Sequence, residues 1–280
     1  MLNWETSGKV QIRKLVIIAA ALGCLMLTSS CSDLFDYSPY LIDFDDANTD
    51  VNRKNIDRLK NKAATDTITI AFTGDTHNYF DELHDFVEKV NSDSRIDFVF
   101  HVGDIADFGL PKQYLWGNDY LSKLKVPYLV AIGNHDLVSN GKDAYEVMFG
   151  ALDFSFVYQR IRFIFLNTNS REFAFNQQVP DLAWLAERLQ PSNNFDKAVI
   201  ICHVPPDDGD FDSNLINEFY ATIAQNKNVV MLVHGHQHHH EVYFPMADSI
   251  PFVNVFGVEH RKTTIIKIID NQILIDNAAF

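Results

Sequence analysis

The sequence predicts an α/β domain in which two stacked β-sheets are flanked by helices. Apolar runs such as TITIAF (67–72) and NVVMLV (228–233) alternate along the chain with segments of helical periodicity such as DELHDFVEKV (81–90). Strands that alternate with helices are typical of layered α/β folds. Residues 241–280 have mostly the pattern of strands, and this late run of strands indicates a second sheet stacked on the first.

The order of the predicted elements follows from periodicity and from the position of turn residues. Each of five strands is followed directly by a polar loop. These strand-and-loop segments are 67–75, 97–104, 126–136, 197–206 and 228–238. Helices are predicted at 81–90, 112–124, 142–149, 182–189 and 211–225, and two consecutive strands within 154–170 turn near Gln159–Arg160.

Length and charge limit the classes of function. The chain has 280 residues, which allows one sizeable core, and its 22 Phe residues suit a sheet-rich interior. The net charge of -14 disfavours binding to long nucleic acids or to an anionic membrane surface. If this protein acts on phosphates, bound metal ions have to supply the local positive charge.

The N-terminal segment has the pattern of an export signal. Basic residues at 9, 13 and 14 precede the apolar run 15–27, and the small residues of LTSSC lead to Cys31. This ending resembles a bacterial lipoprotein signal. It predicts a signal peptide over 1–30 and an exported protein whose lipid anchor at Cys31 holds it to a bacterial membrane, at the periplasmic face or the cell surface. An uncleaved anchor and an ordinary cleaved signal peptide are the alternatives.

Residues 31–66 are predicted to form a tether, and 67–280 a single domain. The tether is acidic at first and then polar and basic, with a short helix around 51–62. Its acidic part fits a solvated linker and the export signal of a surface lipoprotein equally well. Of the three cysteines only Cys202 lies in the predicted domain, so an intramolecular disulfide there is excluded.

The five polar loops carry residue types that bind metal ions. They read GDTH, GDIAD, GNHD, CHVPP and HGHQH, and in open α/β folds such loops form the ligand crevice. Oxygen and imidazole donors of this kind suit Mn, Fe, Zn or similar divalent ions. The candidate residues are Asp75, His77, Asp104, Asp107, Asn134, His135, His203, His236 and His238.

Spacing within the loops suggests how the donors are shared. Asp75 and His77 are two residues apart, so both side chains can reach one centre from an extended segment. The central Asp104 is the natural bridge between two ions. Two such ions clamp a phosphoryl group, and a bridging hydroxide attacks it. A histidine that is not a ligand would then protonate the leaving oxygen.

The order D-x-H, G-D-x-x-D, G-N-H-D, H-x-P and G-H-x-H resembles the calcineurin-like metallophosphoesterases over roughly residues 67–260. This resemblance implies a four-layer α-β-β-α sandwich of two mixed sheets, with a metal site at the carboxyl ends of the strands. It also implies that one ion is bound by Asp75, His77, Asp104 and His238. The second ion is then bound by Asp104, Asn134, His203 and His236. His135 takes the place of the leaving-group acid, and Asp107 that of the carboxylate that orients it.

Departures from the family pattern bear on the substrate. Protein phosphatases of this superfamily have Arg-Gly after the second block and Glu after the Asn-His pair, whereas this chain has Phe108-Gly109 and Asp136. The resemblance therefore favours the branch that acts on small phosphodiesters and phosphomonoesters. Two further interpretations stay open. One is a pyrophosphatase of a nucleotide-linked or lipid-linked substrate, and the other is a non-catalytic metal-binding surface protein.

Several residues near these motifs are predicted to have structural roles and not to bind metal or substrate. His234, His239 and His240 are predicted to be strand-end or solvated loop residues, and Asp136 fits a helix cap as well as a place in the site. The acidic loop 207–212 is placed beside the crevice. The aromatic residues near it are expected to pack in the core rather than to contact the substrate, and these are Phe108, Tyr114, Trp116 and Tyr120. The predicted partner is a small phosphorylated substrate, and the oligomeric state is open.

Overall fold

The structure is a computed structural model that describes residues 13–19, 38–63, 65–246, 250–270 and 272–280. Residues 13–19 are helical and exposed. The rest of the predicted signal sequence, with Cys31, lies outside the described residues. No helix within these ranges is long and apolar enough to cross a membrane. Ile42–Phe280 form one compact unit, and all strands of the described ranges belong to it.

The strands of this unit form two sheets. Their bounds are β1 (Thr67–Thr73), β2 (Phe98–His101), β3 (Tyr128–Val130), β4 (Phe154–Tyr158), β5 (Ile161–Phe165), β6 (Lys197–Ile201), β7 (Val229–His234), β8 (Glu241–Tyr243), β9 (Phe252–Asn254), β10 (Lys262–Ile269) and β11 (Gln272–Ala279). One sheet has the order β11-β10-β1-β2-β3 and the other β4-β5-β6-β7-β9-β8. Both are mixed, because the parallel runs β1-β2-β3 and β5-β6-β7-β9 carry antiparallel strands at their edges.

Helices cover the outer faces of both sheets. Their bounds are α1 (Val51–Lys60), α2 (Phe80–Ser92), α3 (Pro111–Leu121), α4 (Gly141–Met148), α5 (Leu182–Leu189) and α6 (Ile216–Gln225), and short 3₁₀ turns lie at Asp46–Asn48, His135–Leu137, Ser170–Phe173 and Val258–His260. Each predicted helix is present, although α6 begins five residues later than the predicted start at 211. The predicted turn between β4 and β5 is confirmed: Gln159 (φ 47°) and Arg160 (φ 63°) both adopt the left-handed conformation that a tight hairpin needs.

The core has three layers because the strands alternate their side chains between two buried faces. In β1, Ile70 and Phe72 point into the cluster between the sheets, whereas Ala71 faces the cluster beneath α2, α3 and α4. In β6, Val199 belongs to the inter-sheet cluster and Ile200 to the cluster beneath α5 and α6. The predicted four-layer α-β-β-α sandwich is therefore confirmed.

Part of the predicted tether is packed against the domain. The side-chain amide of Asn52 in α1 donates to the carbonyl of Val130 at 2.9 Å and accepts from the Val130 N–H at 2.9 Å. Asn52 thus pairs backbone groups at the open edge of β3. The predicted tether, 31–66, therefore does not extend through α1, because Val51 and Leu59 are buried in the core clusters of the domain. The other predicted domain boundaries stay predictions.

Candidate metal centre

Five loops meet where the carboxyl ends of the two sheets come together. The loops after β1, β2 and β3 come from one sheet, and the loops after β6 and β7 come from the other. Because parallel strands end at one edge of a sheet, these loops lie side by side. They carry Asp75 and His77, Asp104 and Asp107, Asn134 and His135, His203, and His236 and His238.

The loop backbone differs from the extended segment that the spacing suggested. Asp75 (φ 52°), His77 (φ 48°) and Asp104 (φ 59°) are left-handed, as are His236 (φ 72°) and His238 (φ 55°). The prediction of an extended Asp75–His77 segment is therefore wrong. Non-glycine residues in this region cost on the order of 1–3 kcal/mol each, and such conformations cluster at functional sites.

Backbone hydrogen bonds hold the first two loops in this shape. The N–H of Asp75 donates to the carbonyl of Gly103 at 3.0 Å, and that of His77 donates to the carbonyl of Asp104 at 3.1 Å. These bonds couple the loop after β1 to the loop after β2. The side chains of Asp75, His77 and Asp104 consequently face one another.

One group of donors surrounds Asp75. Ligand atoms of Asp75, His77 and His238 all lie within 4.8 Å of one another. Asp75 Oδ1 is 3.5 Å from His238 Nε2, and Asp104 Oδ2 is 3.6 Å from His77 Nε2. These are the four residues that the resemblance implies for the first ion.

A second group lies on the other side of Asp104. His203 Nε2 is 3.1 Å from Asp104 Oδ2 and 3.1 Å from Asn134 Oδ1. Asn134 Oδ1 is in turn 3.0 Å from His236 Nδ1. The structure thus brings together all four residues implied for the second ion. Asp104 lies between the two groups, where a bridging carboxylate would have to be.

The hydrogen bonds on the outer ring nitrogens decide which nitrogens face inward. His203 Nδ1 donates to the carbonyl of Val102 at 2.9 Å, so in the neutral ring Nε2 carries a lone pair directed at two oxygen acceptors. His238 Nδ1 faces Glu259 Oε1 at 2.8 Å, which likewise leaves its Nε2 lone pair facing Asp75. Metal-ligating histidines are commonly oriented in this way by a carboxylate or a carbonyl on their outer nitrogen.

Lone pairs that point at the same place repel one another unless a cation lies between them. Two further features of the site fit a bound cation. Asp75 Oδ2 is buried and has no hydrogen-bond partner among the described residues. A Cβ added to Gly133 would lie 2.1 Å from Asp104 Oδ1, so only glycine allows this approach. The residues present therefore fit two divalent ions bound by nitrogen and oxygen.

Burial and mutual charge shift the pKa values of the ion-free donors. Burial raises the pKa of Asp75 to about 6. Burial opposes the charge on Asp104 as well, but the imidazole of His203 keeps the pKa of this carboxyl below its usual range. Although burial disfavours imidazolium, the carboxylates of Asp104 and Asp75 raise the pKa of His203 to about 10. The carboxylates of this site thus bind a positive charge strongly, and a proton on His203 can supply it.

The predicted acid, His135, lies at the edge of this site. Its Nδ1 donates to the backbone carbonyl of Asp107 at 2.9 Å and is 3.2 Å from the carboxylate of the same residue. The ring packs edge-on against His77 with centroids 4.5 Å apart. These contacts engage Nδ1, and the residue helps to line a cavity of about 470 Å³ together with His77, Asn78, Tyr79, Asp107 and His238.

Asp136 belongs to the site, although the motif spacing does not identify it. Its buried carboxylate accepts from the backbone N–H groups of Asp104 at 2.9 Å, Ala106 at 2.8 Å and Gly133 at 2.9 Å. Burial raises its pKa to about 7. Asp136 therefore ties the loop after β2 to the loop after β3 and places both Asp104 and Asn134. No signal in the sequence separates this role from that of a helix cap.

Two other carboxylates support the histidines of the last motif. Glu259, in the turn Val258–His260, faces His238, and Asp208 Oδ1 lies 3.4 Å from His236 Nε2. The acidic loop 207–212 thus does border the site, as its position after His203 suggested. Glu259 lies 21 residues after His238, and no motif links it to the site.

The remaining histidines play supporting or peripheral roles. His101 is fully buried, lies 2.8 Å from Thr76 Oγ1 and accepts from the Gly103 N–H. Burial lowers the pKa values of His101 and His234 to about 3, so both rings are neutral. His239 is exposed beside Glu241, and His240 is half-buried at the end of the loop.

The aromatic residues near the crevice divide into two sets. Tyr114 is fully buried and Tyr120 is partly buried, as expected for core residues. Phe108 is 55% exposed and Trp116 is 44% exposed, so the expectation of core packing is wrong for both. Helical periodicity placed Trp116 on α3 but did not show which face of the helix lies against the sheet.

The fold and the donor set together define a metal-dependent hydrolase with a paired-ion site at the strand ends. The sequence pattern of the calcineurin-like phosphoesterase family matches residues 68–240, and the chain belongs to this family. The family depends on a binuclear metal centre, and the protein is a hydrolase that acts on phosphoester bonds.

Comparison with known proteins agrees with this assignment. The chain is 23% identical over 176 residues to a probable cyclic nucleotide phosphodiesterase of Xenorhabdus bovienii, which covers 60% of this chain and 71% of that protein. A dimetal phosphatase from Danio rerio has a similar structure, with a TM-score of 0.62, 15% identity and coverage of 76% of this chain and 96% of that one. GAP50 of Plasmodium, described as the anchor in the inner membrane complex, gives a TM-score of 0.58 at 14% identity, with 76% and 84% covered. At such identities the structural likeness establishes the fold, and the activity has to be argued from the site.

Proposed function

We propose that this protein hydrolyses a small phosphodiester or phosphomonoester, with His135 as the acid that protonates the leaving group. The observation that carries the proposal is the geometry around Asp104. Two sets of nitrogen and oxygen donors share this carboxylate, and the imidazole of His135, whose Nδ1 is held by Asp107, lies beside them. A site without catalytic function would not need such an imidazole. The relative from Xenorhabdus bovienii, a probable cyclic nucleotide phosphodiesterase, agrees with a small substrate.

The first ion is assigned to Asp75, His77, Asp104 and His238, and the second to Asp104, Asn134, His203 and His236. Mn, Fe, Zn or similar ions suit these donors. Two such ions would polarise the phosphoryl oxygens and lower the pKa of a water molecule toward neutrality. The chain itself holds the donors at a fixed spacing through Asp136, Glu259 and the carbonyl of Val102.

His135 completes the reaction by giving a proton to the leaving oxygen. Its Nδ1 is held by the carbonyl of Asp107, so the proton at Nε2 is the one that is available for transfer. Transfer of this proton converts the imidazolium to neutral imidazole and the leaving alkoxide to an alcohol. The cavity, at about 470 Å³, has room for a small ester.

The experiment loads the full chain with Mn²⁺ and compares hydrolysis of bis-p-nitrophenyl phosphate with that of p-nitrophenyl phosphate. We expect turnover that needs the metal and is lost in Asp104→Asn and in His203→Ala. A double variant should be no slower than either single one, because the residues act as one unit. If both substrates stay intact while two Mn²⁺ ions are bound, the proposal fails, and pyrophosphate-linked substrates or a binding role become the better interpretations.

A second experiment tests the role of His135. It compares a nitrophenolate leaving group with an alkoxide, because the two differ in their need for a proton. p-Nitrophenolate leaves without help, whereas an alkoxide does not. His135→Ala should therefore slow the release of an alkyl alcohol by about 10²-fold or more and affect p-nitrophenyl esters much less. Equal losses for both leaving groups would contradict the assignment of His135 as the acid.

We also propose, from the sequence pattern of residues 9–31, that the protein is exported and lipid-anchored at Cys31 to a bacterial membrane. The anchor would place the phosphoesterase domain at a membrane that its acidic surface does not favour by itself. Membrane fractionation of the wild type and of Cys31→Ser tests this, with release of the variant as the expected result. Retention of Cys31→Ser in the membrane would favour an uncleaved anchor.

A further inference from the structure

Two exposed aromatic side chains stand beside the metal cavity on the side of His135. Tyr79 lines the cavity and is 44% exposed. Phe108 directly follows Asp107, another lining residue, and is 55% exposed. Exposed apolar groups that cluster near a cleft mark binding surfaces.

The backbone that carries these two rings is fixed by hydrogen bonds. The buried side chain of Gln113 accepts from the Phe108 N–H at 2.9 Å and donates to Asn78 Oδ1 at 3.3 Å. Asn78 in turn donates to Asp107 Oδ2 at 2.7 Å. One buried amide therefore holds the residue before Tyr79 and the backbone of Phe108 together.

More aromatic surface continues this feature away from the cavity. Phe80, the neighbour of Tyr79, stacks on Tyr120 with centroids 6.2 Å apart and packs edge-on against Trp116 at 5.9 Å. Trp116 is itself 44% exposed. Phe80, Trp116 and Tyr120 thus form a packed aromatic cluster that begins at the residue after Tyr79.

We propose that Tyr79 and Phe108 form a subsite that stacks the planar base of a nucleoside leaving group. The inference rests on the proposed function, because His135 defines the side on which the leaving oxygen departs. Tyr79 lines the cavity that His135 also lines, and Phe108 directly follows Asp107, whose carbonyl accepts from His135. Stacking on aromatic side chains tolerates different bases, because every base has a π-face. The net charge of -14 disfavours a polyanion, so the proposed group is a single nucleoside and not a longer nucleic acid.

The test uses two ligands that share one phosphate ester and differ only in the base, adenosine 5′-phosphate and ribose 5-phosphate. Their inhibition constants are measured with the full chain, loaded with Mn²⁺, against hydrolysis of bis-p-nitrophenyl phosphate. Where this ester is not turned over, calorimetry of the same two ligands gives their dissociation constants instead. Failure of the proposed function thus shows as absent turnover, and failure of the subsite shows as equal affinities.

We expect the nucleotide to bind about tenfold more tightly than ribose 5-phosphate. The ratio should fall toward one in Phe108→Leu and Tyr79→Leu, which keep apolar bulk without a ring, and should be retained in Phe108→Tyr. Phe244→Ala is the matched control, because Phe244 is 58% exposed beyond the end of β8 and does not line the cavity. A ratio near one in the wild type would overturn the proposal. A ratio that both leucine variants leave unchanged would overturn it as well.

Discussion

Removal of the Glu259 carboxylate should weaken one of the two metal sites and leave the other intact. Glu259 Oε1 lies 2.8 Å from His238 Nδ1 and fixes the tautomer whose Nε2 faces Asp75. Without this partner the ring can rotate or protonate at Nε2, and either change removes a ligand. Glu259→Ala therefore acts on the ion assigned to Asp75, His77, Asp104 and His238.

The size of the effect follows from the exposure of the pair. Loss of the hydrogen-bond partner that orients a metal ligand typically costs about 10- to 100-fold in metal affinity. His238 is 39% exposed and Glu259 is 19% exposed at their side chains, so water partly replaces the lost contact. We therefore expect the lower end of the range, about tenfold weaker binding of one Mn²⁺ ion. Glu259→Gln keeps an acceptor without the charge and should give a smaller loss.

The assay is calorimetric titration of the metal-free chain with Mn²⁺, which resolves two binding events. Glu241→Ala is the matched control, because Glu241 contacts His239 at 3.5 Å in a pair that is 55% and 57% exposed and away from the donors. The control should bind both ions like the wild type. If Glu259→Ala binds both Mn²⁺ ions with wild-type affinity, Glu259 does not orient His238 as a metal ligand. An equal loss of Mn²⁺ affinity in Glu241→Ala would refute this role as well.

Three further predictions concern the loops and the core. Asp208→Asn should weaken the other ion by about threefold in the same titration, because its contact with His236 is longer, at 3.4 Å. Gly133→Ala should weaken Mn²⁺ binding by about tenfold or more, since the added Cβ would lie 2.1 Å from Asp104 Oδ1; unchanged binding would show that the loop can yield. Asp153→Asn should stabilise the fold above neutral pH by on the order of 1–2 kcal/mol. Burial raises the pKa of Asp153 to about 6 from 3.8, so its ionisation cost is absent below pH 3.8 and fully present above pH 6. Urea unfolding of both proteins at pH 4 and pH 8 measures the difference, and an equal effect at both pH values would contradict this origin.

The strands and their polar loops can be predicted because their signals are local. An apolar run followed by a cluster such as GNHD places a strand and a ligand-type residue without reference to the rest of the chain. For this reason the sequence predicts the order of the elements closely, and it groups residues from Asp75 to His238 without any knowledge of their distances.

Interpretations that require knowledge of a packed neighbour are less successful. The conformation of Asp75 and His77 depends on hydrogen bonds to Gly103 and Asp104, which lie on another loop. Helix α1 belongs to the domain because Asn52 pairs an edge strand 78 residues away in sequence. Neither contact can be recognised from the residues that surround it in the sequence. The sequence therefore predicts an extended loop and a longer tether.

The sequence by itself determined the fold class, the succession of strands and helices along the chain and the chemical nature of the donors, because strand periodicity and residue type are properties of short segments. Tertiary structure alone decided which carboxylates support those donors and which rings reach solvent. Asp136, Glu259 and Asp208 acquire their roles through distances across the chain, and Phe108 is exposed because of how its loop is held by Gln113. Such roles depend on the meeting of two sheets at one edge, which only the packed core brings about.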